Sequence, residues 1–454
     1  MNYPFWDVPH IGSGWVIGLI AIFHIMISHF AVGGGFYLPL AERKALSEGR
    51  EDWLQTLRAH SKFFLILTGV FGTVSGVGIW FAIGLANPEG TSTLIHNFVF
   101  GWAIEWVMFM VELSTAIVYY YTWGRIPNEL HLKVGYVYAA ASFLTLVVIN
   151  GILGFMMMPG ESWLAVAGTG QESSRFWQAF FNPTYWPSLL LRSAVCVSLA
   201  GIWALVTCSR IDGEAQPRLK TELVRWSAKW LIPSFVAMPF ILGWYLWTVP
   251  ESQRALLQLG MTTIGTGAFT QVTRVALIMV LSSATVVGVV YFLAWRLPLS
   301  FGRAHALAVL FLGLVVTAAG EYSREMLRKP YVIGRHMYSN GVRTSDVAKF
   351  NRDGYLPNSP WLPANATVLE QGQCMFRGQC KACHTADAYR SMKGLLAGRD
   401  REAISRLLAI LHDAKPDSPY KAFMPPLVGT AGEITALGDY LADLTAAPGQ
   451  DTKK

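Results

Sequence analysis

Hydrophobic and polar positions along this chain fall into two regimes that meet near residue 326. Before that point, long apolar runs near 14–40, 61–86, 96–123, 134–158, 186–208, 230–250, 272–296 and 303–326 alternate with short polar stretches. A helix rises about 1.5 Å per residue, so each run is long enough to cross the ~30 Å hydrocarbon core of a bilayer. The pattern predicts eight membrane-spanning helices. Beyond it, residues 327–365 are rich in Gly, Pro, Asn and Arg and read as a linker. Residues 366–446 carry a helix from Cys374 to His384, an amphipathic stretch Arg401–His412 and a last helix Gly432–Leu444; 447–454 reads as a disordered tail. The expected fold is all-α: a polytopic membrane helix bundle over 1–326 and a small helical domain behind the linker.

Composition agrees with this picture and narrows it. The 454 residues are 53% hydrophobic and only 14% charged, with mean hydropathy +0.36, which excludes an ordinary soluble enzyme. The formal charge of +7 does not point to nucleic acid, because no basic patch is interleaved with stacking aromatics. Its distribution has a better explanation. Loops after odd-numbered runs hold fourteen Lys and Arg, from Arg43 and Lys44 to Arg296 and Arg303, whereas the even-numbered loops hold only Arg175 and Arg254. The positive-inside rule then puts the odd loops in the cytoplasm and the N-terminus outside, as in a multi-pass protein of a bacterial inner membrane. The opening MNYPFWDVPHIGSG has no Lys or Arg and lacks the charged start of a signal peptide.

The most specific chemistry lies in Cys380-Lys-Ala-Cys383-His384. Two thiols two residues apart, followed at once by histidine, are the pattern of covalent haem c attachment, in which the imidazole becomes the proximal iron ligand. Met424, before Pro425-Pro426, is the expected sixth ligand: a thioether on a Pro-rich loop, as in a small class I cytochrome c. Haem is attached to this motif outside the cytoplasm, and eight crossings place it there. The competing reading is a zinc knuckle, for which no second Cys/His pair completes a tetrahedral set. Cys196 and Cys208 lie in an apolar run and read as small hydrophobes, and Cys374 receives no role.

Ionisable groups inside apolar runs are expensive and are functional candidates. The first run holds His24 and His29, and the third holds Glu105 and Glu112, seven apart and so on one helix face. The fifth holds Arg192, the seventh begins at Arg274, the eighth ends in Glu321, Arg324, Glu325 and Arg328, and Asn150 lies near the end of the fourth. Each alone can be a polar group satisfied by a neighbouring helix. As a set they point to haem ligands and a proton route. His10, His60, His96, His131, His305 and His412 lie at run ends or in loops and read as surface residues, while His336 and Met337 in the linker are further possible ligands.

These residues resemble the cytochrome bd oxidase subunit I family over roughly 14–335. Ile22-Phe-His24-Ile through Gly33 to Glu42 is similar to that family's first helix, and Ala103-Ile-Glu105, Val111-Glu112 and Thr122-Trp-Gly-Arg125 to its third. Ile149-Asn150-Gly151 and the stretch Ala319-Gly320, Glu325, Arg328, Pro330-Tyr331, Ile333-Gly334 match further family positions. The resemblance implies His24 and Glu325 as axial ligands of membrane haems, two in number and of b or d type, with Arg328 near the propionates. It implies Glu105, Glu112 and Asn150 as a proton route. The spacing of Glu105 and Glu112 is one residue shorter than in the family. The chain departs further where the family carries a histidine and a methionine for a low-spin haem: it reads Leu190-Leu191-Arg192 and Arg274-Val275-Ala276. Only Pro250 to Gln271 joins the sixth and seventh runs, too short for the family's quinol-binding loop, and the cytochrome domain replaces a ninth helix.

The sequence thus points to a bd-like terminal oxidase subunit fed through cytochrome c, reducing oxygen. Its expected partners are a companion bd-like membrane subunit, a periplasmic cytochrome c or other electron donor, and the lipid bilayer. Two other functions fit the same residues. One is an electron-transfer subunit without oxygen chemistry, in which His29, His336 or Met337 closes the iron; the other is nitric oxide reduction.

Overall fold

The computed structural model describes residues 6–251, 254, 270–359 and 361–446. Eight of its helices are long and apolar enough to cross a membrane: Ser13–Ser47, Glu51–Ala86, Val99–Tyr121, Asn128–Met157, Tyr185–Cys208, Pro217–Thr248, Thr273–Arg296 and Arg303–Arg328. Each coincides with a predicted run. Several extend past it, as where the first continues through Leu40-Ala-Glu-Arg-Lys-Ala-Leu46, residues that favour helix whatever their polarity. Most of the 250–271 connection and the 447–454 tail lie outside the described residues.

The first span is the hub of the bundle and touches the second, fourth, fifth and eighth. Three consecutive glycines make this possible, because successive helix residues point about 100° apart. A Cβ at Gly33 would stand 1.9 Å from the Cys196 carbonyl oxygen of the fifth span, one at Gly34 2.7 Å from Phe64 of the second, and one at Gly35 2.4 Å from Tyr138 of the fourth. Each glycine clears a different neighbour. The apolar core around them runs through Phe30, Tyr37, Phe64, Leu199, Leu205 and Leu231.

The basic loops gather at one end of the bundle. Arg50, between the first and second spans, pairs with Glu222 of the sixth, and Arg225 donates to the Trp295 carbonyl at 3.1 Å. At the same end His60 and His131 are buried, against the expectation of surface histidines. His60 Nδ1 meets Thr207 Oγ1 at 2.8 Å, and His131 Nδ1 meets Glu42 at 2.7 Å while Tyr119 donates to the same carboxylate at 2.6 Å. A loop-proximal position becomes interior here because the long first helix continues past it.

At the opposite end, the predicted linker is a packed cap. A two-stranded antiparallel ribbon, Tyr331–Ile333 with Met337–Tyr338, lays Val332, Ile333 and Met337 into a core with Phe98, Phe155 and Trp163. Beyond it the small domain forms around Met375, Phe376, Ile404, Leu408 and Leu437. Its helices Val368–Gln379 and Ala431–Ala446 cross so closely that a Cβ at Gly372 would lie 2.1 Å from the Ala436 carbonyl. The helix expected to reach His384 stops at Gln379, and the Cys380–His384 motif is a turn in which the Cys383 and His384 amides both donate to the Cys380 carbonyl, at 3.1 and 3.0 Å.

Candidate functional site

His24 sits in the first half of the first span, beside a π-helical turn, Leu67–Gly72, in the second. A π turn inserts one residue and re-aims the side chains that follow. Here it brings Ser75 Oγ to 3.0 Å from His24 Nδ1, while Ser75 is anchored on the Phe71 carbonyl at 2.6 Å. Gly76 keeps the ring face clear, since a Cβ there would lie 3.2 Å from His24 Cε1. With Nδ1 held, Nε2 is the nitrogen left for a metal.

Two further elements complete the membrane part. Glu105 and Glu112 of the third span face the same space, and Glu112 accepts from Thr145 Oγ1 of the fourth span at 2.5 Å. The eighth span ends in interleaved ion pairs three and four residues apart, the spacing of neighbours on a helix. Glu321 pairs with Arg324 at 2.8 Å, and Glu325 with Arg328 at 2.5 Å and with Lys329 at 3.1 Å. Arg328 Nε is buried with no partner among the described residues.

His24, Glu105, Glu112, Thr145, Glu321, Glu325, Arg328 and Lys329 share one cavity of about 750 Å³, which Cys383 and His384 of the small domain also line. His29 and Arg192 also stand in its wall, with Arg192 in electrostatic range of Glu321 and Arg324. The small domain is seated over this opening. Lys381 pairs with Asp7, the Tyr389 amide donates to the His10 carbonyl at 3.2 Å, Trp15 and Tyr389 meet edge to face, and Arg390 reaches Met326 Sδ at 3.5 Å.

Within the small domain, His384 Nδ1 donates to the Arg390 carbonyl at 3.1 Å, leaving Nε2 as the nitrogen available to a metal. Burial holds this imidazole below its ordinary range, so it stays neutral as a ligand must. Burial, with Cys383 nearby, pushes the Cys380 thiol up to about 12. Met424 lies elsewhere: it lines a second pocket of about 410 Å³ with Tyr420, Pro425 and Tyr338. Its loop is tied to the motif-bearing helix by Gln379, which donates to the Val428 carbonyl at 2.8 Å and accepts from the Val428 amide at 2.9 Å.

Besides Met424, three sequence candidates, Asn150, His336 and Met337, stand apart from the cavity. Asn150 is fully buried between the fourth and fifth spans, donating to the Tyr185 carbonyl at 2.9 Å and accepting from Ser188 at 2.7 Å. Its amide is satisfied by that seam. His336 packs edge-on against Trp163, and burial with Arg343 nearby lowers it to about 4; Met337 is in the apolar core. Neither reaches the cavity, because the ribbon turns both inward onto the cap.

Sequence reasoning passed over Ser75, Thr145 and Lys329. Ser75 and Thr145 look like ordinary small residues of apolar helices, and only the pairing of helices puts them on His24 and Glu112. Lys329 reads as a cation favouring a helix C-terminus. Its ammonium is drawn down by burial but lifted more by Cys383 and Glu325, so it lies above the ordinary lysine range.

The residues fit haem. The cavity is walled mainly by apolar side chains, offers His24 and Glu325 as iron ligands, and presents the unpartnered Arg328 Nε as a donor suited to a propionate. Residues 13–210 match the family model described as cytochrome bd terminal oxidase subunit I. The chain is 26% identical over 181 residues to subunit 1 of the cytochrome bd-II ubiquinol oxidase of Escherichia coli (strain K12), covering 39% of this chain and 34% of that protein. The aligned part thus spans about a third of the curated relative. The solved structure of the bd oxidase from Geobacillus thermodenitrificans superposes with a TM-score of 0.60 at 15% identity, covering 70% of this chain and 87% of that one. The two share their fold.

Proposed function

We propose that this chain, with the sequence pattern of cytochrome bd terminal oxidase subunit I over residues 13–210, is a membrane oxidoreductase subunit that takes electrons through a fused cytochrome c domain and reduces oxygen. One observation carries the reading: a single cavity is lined both by the Cys383–His384 motif and by His24 and Glu325. Haem c would be held by Cys380, Cys383 and His384, and membrane haems of b or d type by His24 and Glu325; Met424 lines the other pocket, and its place as sixth ligand rests on the sequence pattern alone. Haem bound there would supply electron transfer and oxygen chemistry.

The chain's own residues do the rest. Ser75 and the Arg390 carbonyl fix the two histidine rings, so that each presents Nε2. Arg328 keeps one nitrogen for an anionic group. Glu112, held by Thr145, and Glu105 form a two-carboxylate route that delivers protons into the cavity. Asn150 serves the route only by setting the seam behind it. Arg192 puts a cation where the family's low-spin haem ligand would stand, which supports entry of electrons through the fused domain rather than through quinol. The loops with excess Lys and Arg would face the cytoplasm and the cytochrome domain the periplasm, beside a companion subunit and a cytochrome c donor.

His29 supports the second reading, an electron carrier with closed iron, because its Nδ1 bonds the Ile25 carbonyl at 3.0 Å and its ring lines the cavity. Oxygen uptake by the purified complex, with an artificial donor that reduces c haems, separates the two. The oxidase gives sustained, cyanide-sensitive uptake that is lost in His24→Ala. A carrier gives none, and its reduced haems bind neither carbon monoxide nor nitric oxide. Uptake of nitric oxide in place of oxygen would assign the third function.

A further inference from the structure

Lys329 is the one residue among those described that lines both pockets, the larger with His384 and the smaller with Met424. Its Nζ lies 3.1 Å from Glu325 Oε1 and 3.5 Å from Cys383 Sγ. The rest of the neighbourhood leaves it little freedom. The preceding residue, Arg328, holds the other Glu325 oxygen, at 2.5 Å, and Ser339 Oγ approaches Cys383 Sγ to 4.0 Å from the cap. The side chain is mostly buried, with 11% exposure, so its charge is weakly screened.

We infer that Lys329 is a shared cation of the two redox sites, a positioning residue that holds the Glu325 carboxylate while standing against Cys383 Sγ, the sulfur through which haem would be attached as a thioether. This rests on the function proposed above, in which Glu325 and Cys383 each belong to a haem site. A fixed positive charge favours the reduced form of any centre beside it. At Glu325 the ammonium also draws electron density from the carboxylate and weakens its donation to iron. Lys329 therefore raises the potential of both sites together, and a change at either one reaches the other through a single ammonium. A cation that only complemented the end of the eighth span would affect stability and leave both potentials alone.

The test is an optical redox titration of the full complex as wild type, Lys329→Gln, Lys329→Arg and Glu325→Gln, with covalent and non-covalent haem counted in each. With the haems retained, Lys329→Gln should lower both midpoints by about a tenfold shift in each reduction equilibrium, which for one electron is about 59 mV. Lys329→Arg should restore both. Glu325→Gln should move the haem c midpoint through Lys329, and this effect should vanish when Lys329 is already Gln. Unmoved midpoints in Lys329→Gln, or movement of one centre alone, would overturn the shared cation. A wild-type complex without non-covalent haem would instead overturn the ligand assignment on which it stands, and the haem count tells these failures apart.

Discussion

At the scale of single residues, the site depends on what holds each ligand as much as on the ligand. Glu325→Ala removes a carboxylate that Arg328 and Lys329 grip from two sides, and two buried cations are left without their partner. We expect that variant to lose a non-covalent haem while keeping haem c, as pyridine haemochrome spectra would report; an unchanged haem count would rule Glu325 out as a ligand. Ser75→Ala is subtler. It frees His24 Nδ1, and removal of such an outer partner typically weakens metal affinity by about 10–100-fold. Haem transfer to apomyoglobin should therefore run faster from Ser75→Ala than from wild type, and equal rates would show that the serine does not orient the ring. His24, Glu325 and the Cys380–His384 motif were legible in the sequence because their chemistry is rare in apolar or short cysteine-spaced contexts. Ser75 was not, since a serine fifty-one positions from His24 becomes its partner only through helix packing.

Among the helices, glycines decide how closely elements approach. The run Gly33-Gly34-Gly35 lets the first span meet three neighbours, and the tightest contact is a backbone carbonyl that cannot swing aside. Overpacking a core costs about 1–3 kcal/mol where side chains can yield. Gly33→Val faces backbone instead, so its loss of stability should reach at least the upper end of that range. Its melting temperature in detergent should fall well below wild type, and an unchanged value would mean the fifth span moves freely. Hydropathy marked the spans correctly but could not mark the π turn at Leu67–Gly72, whose sequence is as apolar as its surroundings. It likewise continued the Val368–Gln379 helix to His384, because amphipathic spacing does not reveal that the Cys380 carbonyl takes two amides in a turn.

For the molecule as a whole, the central fact is the docking of the small C-terminal domain over the cavity between the spans. Asp7 before the first span, and Met326 and Lys329 at the end of the eighth, supply its footing. Asp7→Lys sets two cations face to face at a partly exposed site. An exposed pair contributes only about 0–1 kcal/mol, so the fold should survive while docking loosens. Stopped-flow reduction should then show haem c filling normally and the membrane haems lagging; simultaneous reduction would mean that Asp7 does not seat the domain. The eight spans, the crowding of basic residues into alternate loops and the Cys380–His384 pattern are all legible in the sequence alone, because apolar runs, charge and cysteine spacing are local marks. The tertiary structure decided what depends on distant partners. It turned a Gly- and Pro-rich linker into a packed cap, took Asn150 and His336 out of the cavity, and placed Lys329 between Glu325 and Cys383. Those outcomes arise from contacts between residues far apart in the chain, whose geometry exists only once the helices have packed.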